Sequence, residues 1–162
     1  MPETLPAFRF PLSSLRRHWQ GHRALTRRVI EAFPEDALFT YAVGGMRPFA
    51  DLALEMIGMA GPGIRGIATG EWVAPPALDD TTRPRTRNEL LARWDAATAE
   101  IDEWWPRITP ERFELVDVAF GQWKNTNYDT LLYFIDNEIH HRGQGYVYLR
   151  SLGIEPPPFW EC

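Results

Sequence analysis

Three groups of residues have types and spacings suited to chemistry. In "HWQGH", His18 and His22 stand at i and i+4, a helical spacing that lets two imidazoles share one metal ion. In "RPFADLALEMIGMAG", Asp51 and Glu55 share that spacing on a segment that is otherwise apolar almost all round. A carboxylate on a buried helix must be protonated, paired or metal-bound. In "IDNEIHHRGQGYVYLR" and the residues before it, Thr130, Tyr133, Phe134, His140, His141, Gln144 and Tyr148 fall within about 60° of Asn137 on a helical wheel. That strip reads either as a solvent face or as an internal polar pocket bracketed by aromatic rings. His22 likewise reads as a hydrogen-bonded core residue or as a ligand. Glu and His side chains drawn inward from different helices are one way to build a metal site in a helix bundle.

The elements that would position these residues are four helices separated by Pro- and Gly-rich punctuation. The first is expected from Ser13 to Phe33, capped by Ser13 or Ser14 and stopped by Pro34. Leu15, His18, Trp19, His22, Leu25, Thr26, Val29, Ile30 and Phe33 form its inner arc, and Arg16, Arg17, Gln20, Arg23, Arg27, Arg28 and Glu31 its outer arc. The second starts at "RPFADLALEMIGMAG", with Pro48 in the first turn, and is expected to end at Gly61-Pro62. A crossover dense in Gly and Pro follows. The third helix opens on a Thr86 to Glu89 capping box and runs to Pro106. "TPERFELVDVAFGQWKNTN" reads as an irregular or partly extended linker, and the last helix spans Asn127 to Leu152 with Gly153 as its cap. The expected fold is an all-α four-helix bundle, one domain over residues 1–162, with a long crossover between helices two and three. Helices two and three would be parallel and the others antiparallel. The apolar back of the last helix (Leu131, Leu132, Ile135, Ile139, Tyr146, Leu149) needs a neighbour, either another helix or a second subunit.

Composition narrows the function classes. With 162 residues, 44% hydrophobic content and seven Trp, the chain is long and apolar enough for a real core. The net charge of −5 argues against a general nucleic-acid binder, and the arginines of the first helix read as a solvated face that pairs with local acids. The only cysteine, Cys162, allows neither an internal disulfide nor a Cys-based zinc cluster. No stretch has signal-peptide or membrane-span character, so the expected location is cytoplasmic, with no membrane partner.

The motif "NEIHHRGQ", with "YLRSLGIEPP" downstream and "RPFADLALEMIGMA" on the second helix, resembles the signature of the DinB-like (DinB/YfiT) superfamily, and the resemblance covers most of the chain. It implies a bacterial four-helix bundle, often dimeric, that binds a divalent metal through three histidines, one on the second helix and two on the last. Some members resemble metal-dependent thiol transferases using low-molecular-weight thiols; others resemble hydrolases or stress- and damage-induced proteins. Carried over by position, the retained histidine is His141, while Asn137 and Glu55 stand where the other two are expected.

Two expectations follow. In the first, His22 joins Glu55 and His141 as a rebuilt three-ligand site for Zn, Ni, Mn or Fe, with His18, Asn137 and His140 as further candidates. The metal would activate a water or thiol for a transferase or hydrolase acting on a small, thiol-linked substrate, with Tyr133, Gln144 and Tyr148 orienting it. In the second, the metal is lost and a non-catalytic bundle binds a small ligand or a protein partner. A homodimer fits either. Arg142, about 140° from Asn137 on the wheel, is expected to anchor the crossover or a neighbouring acid.

Overall fold

The computed structural model describes residues 11–162. The first ten residues, part of the N-terminal stretch read as lacking a leader, lie outside the described residues. The chain is mostly helical, in the order α1 (Leu12–Ala32), α2 (Glu35–Thr40), α3 (Phe49–Thr69), α4 (Arg87–Trp104), α5 (Pro110–Glu114), β1 (Val116–Ala119), β2 (Trp123–Thr126) and α6 (Asn127–Ser151). A 3₁₀ turn over Trp105–Arg107 extends α4 across Pro106. The long helices α1, α3, α4 and α6 are the four that periodicity picks out; α1 and α3 each pack against both α4 and α6. No helix among the described residues is long and apolar enough to cross a membrane.

Local chemistry explains most boundaries. Thr86 and Glu89 form the expected capping box, the Thr86 hydroxyl accepting from the Glu89 amide at 3.2 Å and the Glu89 carboxylate from the Thr86 amide at 3.1 Å. Thr126 caps α6 by accepting from the Asp129 amide. After α6, Gly153 takes φ 76, the left-handed conformation that closes a helix. At the start of α1, Pro11 occupies the cap position and Ser13 and Ser14 fall within the first turn.

Three expectations need correction. α3 does not stop at Gly61-Pro62; it runs through Pro62 to Thr69 and ends on Gly70 at φ 82. An interior proline costs about 3 kcal/mol. The turns beyond it bury Ile64 and Ile67 completely, each contributing about 1.5–3 kcal/mol, so continuing the helix wins. The glycines there serve close approach instead: a methyl at Gly63 would overlap the Phe134 ring, as one at Gly145 would overlap Phe49. Second, the stretch read as a linker holds α5 and an antiparallel hairpin that pairs Val116 with Thr126 and Ala119 with Trp123. Third, Arg23 lies inside the fold, 1% exposed, because Trp94 stacks beneath its guanidinium at 3.4 Å and Glu138 provides a counter-charge.

Three of the remaining outer arginines of α1 pair with acids, and Arg17 donates to the Ser14 hydroxyl. Arg16 meets Asp102, Arg27 meets Asp95 and Glu31, and Arg28 meets Glu161, the first two stitching α1 to α4. The back of α6 is covered within the chain: Leu131, Ile135 and Leu149 are buried, and Ile139 alone of that face is exposed.

The core falls into two apolar halves. One gathers Val29, Phe33, Phe49, Met56, Trp94 and Leu149; the other gathers Leu15, Trp19, Ile64, Ile101, Leu131 and Phe134. Along α1 and α6 polar residues lie between these halves: His22, Arg23 and Thr26 on α1, and Asn137, Glu138, His140, His141, Arg142 and Gln144 on α6. A polar belt therefore crosses the middle of an apolar bundle.

Candidate functional site

Because α6 turns about 100° per residue, its adjacent belt residues serve different neighbours. Asn137 and His141 face Glu55 on α3, Gln144 reaches Met46 in the loop before it, and Glu138 and Arg142 face α1. The double histidine resolves the same way. His141 is buried at 7% exposure, whereas His140 is exposed and packs its ring edge-on against His141 at 5.0 Å.

On the α3 side, Glu55 is the hub. Its Oε1 accepts from Asn137 Nδ2 at 3.2 Å and pairs with His141 Nε2 at 2.9 Å, while Arg47 donates to Oε2. Gln144 Oε1 pairs with His141 Nδ1 at 2.8 Å and fixes the ring from behind. Burial raises the Glu55 carboxyl, but the hydrogen bonds from Arg47, His141 and Asn137 outweigh it and hold it down at about 2. Asp51, the other acid on this face, pairs with Arg83 from the segment between α3 and α4.

Glu55 also lines a pocket of about 410 Å³, a volume suited to a small organic molecule. The pocket lies between α3, residues 74–75, the hairpin and the start of α6. Phe120, Trp123, Tyr133, Phe134 and Met59 supply most of its apolar wall, and Gln122, Asn125 and Thr130 its neutral polar groups. Asp117 moors the hairpin wall. Its Oδ2 accepts from Arg112 at 2.6 Å, Trp72 at 3.1 Å and Asn127 at 3.2 Å, tying β1 to α5, the 70–86 connection and α6.

On the α1 side, Glu138 is 2% exposed and accepts from Thr26 at 2.8 Å, with Trp19 Nε1 and Arg23 each at 3.4 Å. Arg23 also donates to Thr98 and to the Trp94 carbonyl. Arg142 donates to the carbonyl of His22 at 3.3 Å and to its Nδ1 at 3.0 Å. Since Nδ1 accepts, the His22 hydrogen sits on Nε2, pointing at His18 Nε2 3.1 Å away. Burial, with Arg142 and His18 nearby, lowers His22 to about 4, so the ring is neutral.

The family model for the DinB family matches residues 3–161. The chain belongs to the DinB family. Similar solved structures include a DinB-like protein of Bacillus cereus ATCC 10987 (TM-score 0.72, 16% identity, covering 90% of this chain and 95% of that one). Another is a DinB-like protein of Bacillus subtilis (TM-score 0.71, 18% identity, 91% and 98%). The mycothiol-dependent maleylpyruvate isomerase shares the fold at greater distance (TM-score 0.60, 15% identity, 88% and 68%). Among curated proteins, none matches the chain.

Within this DinB-family fold the sequence-derived site residues divide between the two clusters. Glu55, Asn137 and His141 come together, with Gln144 behind; His18 and His22 belong to the α1 side. Tyr133 lines the pocket, but Tyr148 is buried and donates to the Arg47 carbonyl at 2.9 Å. The residues present do not fit the three-histidine metal centre that the resemblance implies. A guanidinium already supplies the positive charge at Glu55 Oε2, and Asn137 turns its amide nitrogen toward Glu55 while its buried Oδ1 has no partner. His22 has no free lone pair on Nε2, because the Arg142 hydrogen bond places the hydrogen there. Among the described residues, no group of three or more His, Cys, Asp and Glu side chains is placed to hold a metal ion.

Sequence reasoning missed Arg47, Phe120, Trp123 and Glu138. A signal existed for the hairpin residues: "VDVAFGQWKNT" sets two short alternating runs about a glycine, a hairpin pattern. None existed for Arg47, whose partner lies a turn inside the next helix.

Proposed function

We propose that this DinB-family chain is a small-molecule-binding four-helix bundle, with residues 70–86 as its crossover, that works without the family's divalent metal. The observation that carries this reading is the joining of Glu55 to the 410 Å³ pocket, with both carboxylate oxygens already paired by protein groups. The pocket offers an apolar aromatic body and one charged pole, the usual form of a ligand site. Arg47 takes the electrostatic part of an ion, holding Glu55 charged, and Gln144 and Asn137 hold His141 and Glu55 in place. Glu55 then faces the ligand as a preset acceptor, with His141 behind it and outside the lining.

The test is metal analysis of tag-free protein purified without a metal column, with thermal unfolding before and after chelation. The expected result is far less than one equivalent of any divalent ion and an unchanged midpoint. One equivalent of metal that disappears in both Glu55→Ala and His141→Ala would overturn the reading and restore a metal-dependent transferase or hydrolase.

A further inference from the structure

The lining of the pocket is uneven in charge. Glu55 is its only charged side chain; no Lys, Arg or His lines it. Arg47, which pairs with Glu55 Oε2 from the α2–α3 loop, lies outside the lining, so the charged group that faces the cavity is the carboxylate. A ligand inside therefore meets a carboxylate and aromatic faces. An anion would be repelled, and an uncharged apolar ligand would strip water from the carboxylate and return nothing.

The aromatic residues form walls instead of a stack. Phe120 and Trp123, from the hairpin tip, stand at 84° with centroids 6.3 Å apart; Tyr133 and Phe134, from α6, stand at 61° and 6.5 Å. Neither pair is stacked face to face, and all four rings border the cavity, so aromatic surface lies within reach of a cation placed in it. Trp123 and Tyr133 are more than half exposed, so this apolar area stays uncovered by the chain's own packing.

The backbone carries an independent sign. Phe120 is the one non-glycine residue with positive φ among the described residues, at 52°, followed by Gly121 at 71°. The Gln122 amide donates to the Ala119 carbonyl at 3.0 Å, closing a tight turn whose first central position favours Asn, Asp or Gly. A phenylalanine there is conformationally strained, and the strain places a ring that packs edge-on against Trp72 at 5.4 Å and lines the pocket.

We propose that the pocket takes a small organic cation, an alkylated or quaternary ammonium, held among Phe120, Trp123, Tyr133 and Phe134 with Glu55 as its counter-charge. This rests on the ligand-binding reading above and names its ligand class. The probes are 4-(trimethylammonio)benzyl alcohol and 4-tert-butylbenzyl alcohol, alike in shape and differing in a charged nitrogen for a carbon. Ligand-observed NMR titration of the full chain is expected to give at least tenfold tighter binding of the cation. Glu55→Gln should bring the two affinities within twofold. Phe120→Gly should weaken the cation at least fivefold while leaving the unfolding midpoint unchanged or raised. Equal affinity of the two probes for the wild-type protein overturns the cation assignment and leaves the pocket reading standing. Binding of neither overturns both. A cation preference that survives in Glu55→Gln removes Glu55 as the counter-charge and overturns the proposal in this form.

Discussion

Glu55 and Glu138 are both helix carboxylates that meet an arginine, and the chain treats them in opposite ways. Glu138 is sealed: it is 2% exposed, with Arg23 at 1% and Arg142 at 6%, and Trp19, Thr26, Thr98 and the Trp94 carbonyl complete the hydrogen bonding around them. Glu55 borders a cavity, its arginine is half exposed, and the neighbouring Asn137 Oδ1 is buried without a partner. The closed cluster is built to hold helices together, because nothing is left for a ligand to satisfy. The open one leaves a pole, a volume and an orphan acceptor, which are the marks of a site. Two helix carboxylates thus differ in function through what surrounds them.

The largest effect that would break this contrast is on the closed side. Glu138→Ala leaves two buried guanidinium groups without their counter-charge, and losing one partner of such a pair costs about 3–5 kcal/mol. Denaturant unfolding should show that loss, or no folded protein at all. A Glu138→Ala variant within about 1 kcal/mol of the wild type would mean that the α1 cluster is solvated in solution and is no different in kind from the α3 one.

The legibility of the two clusters differed as well. The four long helices, the capping box and Gly153 follow from periodicity and end chemistry, which are local and survive packing. Glu55 and His141 were readable because a carboxylate on an apolar helix and an inward histidine each demand a partner. Arg23 was misplaced on the outer arc: a wheel records direction, but not the stacking of Trp94 or a carboxylate 115 residues away. The sequence pairs His22 with His18, as the structure does, but the Arg142 contact was missed, since Arg142 is one helix turn beyond Glu138 and meets His22 only in three dimensions. The continuation of α3 past Pro62 was hidden because burial of Ile64 and Ile67 is decided by neighbouring helices, not by the local Gly-Pro signal.

An intermediate effect lies in the pH dependence of the closed side. His22 is lowered from 6.5 to about 4, so between those values the unfolded chain takes up a proton that the folded ring refuses. Its neutral burial is without penalty above 6.5, and stability falls as the pH drops from 6.5 toward 4. The groups facing it are Arg142, His18 and, through Thr26, Glu138. His22→Gln removes the titration while keeping a polar side chain, and the unfolding midpoint plotted against pH should flatten across that window. An unaltered slope would assign the acid sensitivity to other groups and would weaken the claim that this side is closed to water.

The smallest expected effect on stability sharpens the comparison most. Glu55→Gln keeps the shape of the side chain and removes its charge, breaking an ion pair with the half-exposed Arg47. The half-exposed Arg47 pair is worth about 0–1 kcal/mol, and a Gln side chain can still accept from Asn137 and His141, so the loss should stay below the several kcal/mol lost at Glu138. The carboxyl is held down at about 2 by three donors, which favours the folded charged form above 4.5, a gain lost as the pH falls toward 2. The donors keep a charge in place at the edge of a cavity, and the charge matters to what enters it. A large destabilisation in Glu55→Gln would reverse this conclusion, making the α3 cluster a second structural lock and the pocket an incidental gap beside it.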